Sequence, residues 1–205
     1  KAATTEQNVP QDYQLITSLE KLEDWIKKIS IAKLTAIDTE TTGLDSMQAK
    51  LVGISLATKA GQAGYIPVGH DYADCPEQLD VNLVLKKLKP WLEDPKQQKV
   101  GQNLKFDLHI FNNHGIRMRG IAHDTLLQSY VLESHRKHDM DSLAQRHLGL
   151  KTTSYDEITG KGINRISFSK VDLNVARDYA AEDADITLRL HGYMWPLLER
   201  EPKLT

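Results

Sequence analysis

An α/β fold, a mixed β-sheet flanked by helices, is expected from two features of this sequence. Three apolar, β-branched runs follow one another with only short Gly- and Asp-containing links, the pattern of an antiparallel meander. Behind them, helical periodicity alternates with short strand-like segments, which adds layers of helix to the sheet. The length of 205 residues suits one such domain.

The elements follow in order. A polar, flexible lead is expected over residues 1–12, with a single domain from 13 to 205. Residues 13–16 read as a short strand. Thr17-Ser18-Leu19-Glu20 fits a capping box, with Thr17 as the cap and Glu20 reaching back. The helix that follows places Leu22, Trp25, Ile26 and Ile29 on one face. Residues 34–40, 51–58 and 64–68 are the meander strands. Val81–Leu92 is an amphipathic helix, and 99–102 a short strand leading into a helix over Leu104–Asn113. Ile121–Asp124 is a further strand, followed by helices over 125–132 and 141–148. Residues 149–169 are polar and form no clear element. One long helix spans 171–199, with Pro196 as the place for a bend.

Composition narrows the classes. Hydrophobic residues make up 40% of the chain, enough for a full core. No apolar run approaches the roughly 18 residues of a membrane helix, and the N-terminus lacks the apolar middle of a secretory signal. Cys75 is the only cysteine, which excludes an intramolecular disulfide and suits a reducing compartment, so a cytoplasmic setting without membrane attachment is expected. The formal net charge is −2. Proteins that grip duplex by neutralising many phosphates are strongly basic, so a nucleic-acid substrate here needs metal ions and a few local contacts to offset its charge. The chain starts with Lys and stops soon after a long helical pattern, as expected of a domain cut from a longer polypeptide.

Three acidic signals carry chemistry. Asp38-Thr39-Glu40 closes a buried strand, and alternation puts Asp38 and Glu40 on the same face. Alone, the pair reads as a solvated strand end. Asn103-Leu104-Lys105-Phe106-Asp107 places Asp107 in the first turn of a helix, where a carboxylate also complements the helix dipole. Tyr179 and Asp183 lie four apart on one helix face, with small residues between them. Glu182 and Asp185 point elsewhere and are expected to be solvated.

Together, D-x-E, N-x-x-x-D and Y-x-x-x-D resemble the three motifs of the DEDD exonuclease superfamily in its tyrosine branch. The histidine branch would carry His where this chain has Asp178. Further text extends the match: Tyr65-Ile66-Pro67-Val68, Val100-Gly101-Gln102-Asn103-Leu104-Lys105, His138-Asp139-Met140-Asp141-Ser142-Leu143-Ala144, and Gly160-Lys161-Gly162. These segments resemble the 3′→5′ exonuclease domain of the bacterial DNA polymerase I family, over nearly the whole chain. The resemblance implies a ribonuclease H-like exonuclease fold and proofreading of a DNA 3′ end, single-stranded or frayed, beside a polymerase domain of the same polypeptide.

It also implies two divalent ions, Mg²⁺ or Mn²⁺, held by Asp38, Glu40, Asp107 and Asp183. Hard cations prefer oxygen ligands, and paired ions suit in-line displacement at phosphorus. Asp38 would bridge both ions, and Tyr179 would orient the attacking water. Leu44 and Tyr155 would pack on the terminal bases, while Gln102, Asn103 and Phe106 line the strand's path. The family often has Tyr at Phe106 and Phe at Tyr155, so a ring is kept at both. Core packing is the competing reading of Leu44 and Phe106. In the basic stretch Arg136-Lys137-His138, Lys137 is the expected phosphate contact, against a plainly solvated loop. Two other readings compete with the whole: a ribonuclease D-like exoribonuclease, and a catalytically silent strand-binding module.

Overall fold

The structure, a computed structural model, describes residues 9–201. Six strands form one sheet: β1 (Asp12–Leu15), β2 (Thr35–Thr41), β3 (Leu51–Lys59), β4 (Gln62–Pro67), β5 (Lys99–Gly101) and β6 (Ile121–Asp124). Their order is β1-β4-β3-β2-β5-β6. The expected meander is present as antiparallel β2, β3 and β4. The outer strands are parallel: β1 to β4, β5 to β2, and β6 to β5. Most of the lead expected over 1–12 lies outside the described residues.

Helix α1 (Leu19–Ile31) is capped by Ser18, whose hydroxyl accepts from the Lys21 amide at 3.3 Å. This corrects the assignment of the cap to Thr17. Glu20 thereby falls one position short of where it could reach back. With α2 (Val81–Leu92) and α3 (Leu104–Asn113), α1 covers one face of the sheet. Leu22, Trp25, Leu88 and Phe111 from these helices meet Ile37, Ile54, Leu56 and Ile66 from the strands. Here both periods read from the sequence, alternate residues on strands and every third or fourth on helices, meet in one core.

The opposite face is covered by the long helix. Asp172 caps it by accepting from the Asn174 and Val175 amides, so the helix runs Leu173–Leu198 rather than from 171. Alanines make close packing possible: Ala181 and Ala184 of the helix meet Ala36, Ala57 and Ala63 of the sheet. Between these lie α4 (Thr125–Glu133), α5 (Met140–Leu143) and α6 (Tyr155–Thr159), which makes the long helix α7. α5 widens into a π-type turn over Ala144–Leu148, so the helix expected over 141–148 has two pitches. α6 interrupts the segment read as irregular; its five residues are too few to show periodicity. Among the described residues no helix is long and apolar enough to cross a membrane.

One glycine shapes the α7 face. Gly53 pairs with Glu40 across β2 and β3, and a Cβ there would lie 2.1 Å from the Tyr65 hydroxyl. Tyr65 is fully buried and that hydroxyl bonds His70 Nε2 at 2.8 Å, so the ring has no room to yield. Gly53→Ala is expected to destabilise the fold by about 1–3 kcal/mol, the usual cost of overpacking. Urea denaturation should show the lower midpoint; an unchanged midpoint would mean that the ring relocates freely.

Candidate active site

The site forms where β5 ends. β5 pairs with β2 only at Thr35 and Ala36, while β2 continues to Thr41. In the gap beside residues 38–41, α3 and α7 converge from opposite faces of the sheet. A cleft of about 270 Å³ opens there, lined by Asp38, Glu40, Asp107, Tyr179 and Asp183. Leu44, Gln102, Asn103, Phe106 and Tyr155 line it as well. All five residues expected to do chemistry, and five of the six expected substrate contacts, are thus brought together.

Alternation along β2 sends Asp38 and Glu40 toward α7, where Asp183 faces them. Oxygens of these three carboxylates lie within 4.8 Å of one another. Asp107 joins from the α3 side, and its carboxylate accepts the Thr39 hydroxyl at 2.5 Å. Asp107 is only 2% exposed, too buried for a dipole-complementing surface group. Tyr179 sits one turn before Asp183 and hydrogen-bonds to it.

Burial, more than mutual repulsion, sets the electrostatics. It pushes the Asp38 carboxyl up to about 7. Glu40 is raised well above the usual range by burial, then by Asp38, Asp183 and Asp107. Asp107 and Asp183 are raised by burial and then by Asp38; the Thr39 and Tyr179 hydroxyls offset part of this. The Tyr179 phenol is raised by burial and by the surrounding carboxylates, so it stays protonated at neutral pH. Among the described residues no lysine, arginine or histidine forms an ion pair with any of the four carboxylates. A buried all-oxygen set without a protein counter-charge fits hard divalent cations.

The other residues singled out in the sequence lie as follows. Leu44 is 92% exposed on the rim, so core packing does not describe it. Phe106 is half-buried and packs partly on the core. Tyr155 lies edge-on to Tyr179, with ring centres 6.2 Å apart. Lys137 is outside the cleft and, with Arg136, lines two adjoining grooves of about 590 and 600 Å³. One of them shares Gln102 and Asn103 with the cleft. His138 is not part of a solvated loop: it is buried, bonds Ser129 and stacks on Tyr130. Asp185 is not solvated either. It is fully buried and accepts from the Tyr13 hydroxyl at 2.9 Å and the Gly61 amide at 2.8 Å, because α7 lies against the β1 and β4 edge there. Glu182 is half-buried and accepts from the Thr153 amide at 2.7 Å.

One supporting residue escaped the sequence reading. Asp124 accepts from the Asn103 and Leu104 amides and from the Leu126 amide, so one carboxylate caps both α3 and α4. It fixes the helix start that carries Asn103, Phe106 and Asp107. The signal available was an acidic residue at a strand end directly before a helix. Gln102 is also fixed: its amide donates to the His138 carbonyl at 2.9 Å and its oxygen accepts from Thr125.

Comparison with known proteins agrees with this geometry. Residues 13–199 match the 3′-5′ exonuclease family. DNA polymerase I of Pseudomonas aeruginosa is 48% identical over 94% of this chain and 22% of its own length. DNA polymerase I of Rhizobium leguminosarum is 40% identical over 91% of this chain and 20% of its own length. The chain therefore spans about a fifth of the length of these relatives. In fold, the Trypanosoma brucei RNase D complex with RNA U12 superimposes with a TM-score of 0.71 at 16% identity, covering 90% of this chain and 62% of that one. The architecture is the ribonuclease H-like exonuclease fold.

Proposed function

The chain belongs to the 3′→5′ exonuclease family, in the form found in bacterial DNA polymerase I, and from that premise we propose that it hydrolyses the terminal phosphodiester of a DNA 3′ end to release 5′-mononucleotides. The observation that carries this reading is the convergence of four carboxylates, three of them buried, and a protonated tyrosine in one cleft. Asp38, Glu40 and Asp183 would hold one divalent ion, Mg²⁺ or Mn²⁺, and Asp38 with Asp107 a second. Such ions supply Lewis acidity and neutralise charge on the phosphoryl oxygens during in-line displacement.

The protein's own groups do the rest. Tyr179 keeps its proton and orients the attacking water by hydrogen bond, not as a general base. Leu44 offers an exposed apolar surface at the rim, and Phe106 and Tyr155 offer rings on which unpaired bases stack. The cleft has a volume of only about 270 Å³ and the net charge is −2, which favours a single strand or a frayed end over duplex. Lys137 remains a candidate phosphate contact for a strand leaving the cleft through the adjoining groove. The domain is taken as residues 13–205. The polymerase I relatives support a neighbouring polymerase domain on the same polypeptide and a cytoplasmic setting.

A 5′-labelled oligodeoxynucleotide should be shortened to a descending ladder with Mg²⁺ or Mn²⁺, and EDTA should stop it. Degradation in EDTA, or from the 5′ end, contradicts the proposal. RNA run alongside should be the poorer substrate; faster loss of RNA would favour the ribonuclease D-like reading instead. No degradation with either metal would favour a silent strand-binding module.

A further inference from the structure

The Ser55 hydroxyl lies on the active-site face of the sheet without a partner. Ser55 is fully buried, and its Oγ makes no hydrogen bond among the described residues. The strand register says what it faces. Ser55 pairs with Asp38 on one side and with Tyr65 on the other. Directly opposed residues in a sheet share a face, with Cβ atoms about 4.5–5.5 Å apart. Tyr65 donates no bond to it, because its hydroxyl is engaged with His70. The acceptor that remains in this row is the Asp38 carboxylate, which receives a backbone hydrogen bond from Thr39 but, among the described residues, none from a side chain.

A pattern within the site gives the pairing its meaning. Asp107 has the Thr39 hydroxyl, and Asp183 has the Tyr179 hydroxyl. Each is held by a hydroxyl from a neighbouring position. Asp38, the carboxylate that would serve both ions, lacks such a partner while an unbonded hydroxyl sits beside it. Buried polar groups left unsatisfied cost free energy and ask for an explanation. Carboxylates that ligate metals are in turn hydrogen-bonded by an outer layer of groups that sets their orientation.

We propose that Ser55 is a positioning residue for Asp38, its hydroxyl donating to the carboxylate oxygen turned away from the cations when these are bound. The proposal rests on the metal-site reading above. A serine rotamer change moves only the hydroxyl, so no backbone shift is required. The Ser55 hydroxyl, unbonded among the described residues, is free to make this bond.

The test compares wild type with Ser55→Ala by calorimetric titration with Mn²⁺ alone and by thermal melts in EDTA. Removing an unbonded hydroxyl should leave the EDTA melt unchanged or slightly raised. Mn²⁺ affinity should fall about 10- to 100-fold, the usual consequence of losing a second layer of ligand support. Unchanged affinity overturns the proposal. So does a melt in EDTA that drops while affinity holds, since that marks an ordinary structural role. If wild type itself binds no Mn²⁺, the metal-site reading fails instead, and the two failures are distinguished by the wild-type titration alone.

Discussion

Alanine at Asp38, Asp107 or Asp183 should each reduce exonuclease turnover by about a thousandfold or more. Each carboxylate lines the cleft, and no lysine or arginine is among the residues lining it. Charge stabilisation by a bound cation contributes several kcal/mol to such a transition state, and about 4 kcal/mol corresponds to three powers of ten. Tyr179→Phe should be milder, because it deletes one orienting hydrogen bond worth about 1–3 kcal/mol and leaves the ligand set whole. Single-turnover rates on a short oligodeoxynucleotide at saturating Mn²⁺ separate the two classes. Equal, near-total losses at all four positions would mean that the tyrosine does more than orient.

The same substitutions should have the opposite effect on stability in the absence of metal. Burial holds the Asp38 carboxyl near 7 against an ordinary value of 3.8, and Glu40, Asp107 and Asp183 shift the same way. Between the unfolded and folded values the folded chain keeps protons that the unfolded chain has lost. Stability therefore falls as pH rises through that window, from about 4 to about 7 for Asp38, and levels off above it. In EDTA the thermal midpoint should rise as pH is lowered from 8 toward 5. Asp183→Ala in EDTA should melt at or above wild type at neutral pH, because one buried carboxyl is gone. Mn²⁺ at a hundredfold excess over its dissociation constant should add about 2.7 kcal/mol to wild type. For a domain of this size that is a rise of roughly 5–10 °C. The mutant should gain much less. A mutant that melts well below wild type in EDTA, or a wild-type midpoint indifferent to Mn²⁺, refutes the account.

Local rules made much of this site legible. Strand alternation placed Asp38 and Glu40 together, and helical spacing placed Tyr179 with Asp183; both pairs line the cleft. The meander followed from short links. What stayed hidden depends on contacts distant in sequence. The parallel pairing of β1 with β4 leaves no local mark. Nor does the burial of Asp185, whose partners Tyr13 and Gly61 lie more than a hundred residues away. Ser18 and Thr17 are chemically equivalent caps, so only the entry angle of the chain chooses between them. Repulsion among like charges was foreseeable from the motifs, but the larger effect of desolvation required knowing how deep α7 lies on the sheet.

The two-sided construction of the cleft has a consequence for folding quality. Asp38 and Glu40 face α7 while Thr39, between them, faces α3 and holds Asp107. A slip of β2 by one residue inverts every side chain. It would turn both carboxylates into the apolar layer with Ile54 and Leu56 and bring Thr39 to the cleft. A molecule in that state could remain compact yet would be inert toward DNA. Activity per milligram thus counts the fraction of molecules whose sheet is in correct alignment, and partial misalignment in a preparation would lower the apparent turnover number without changing the apparent Michaelis constant.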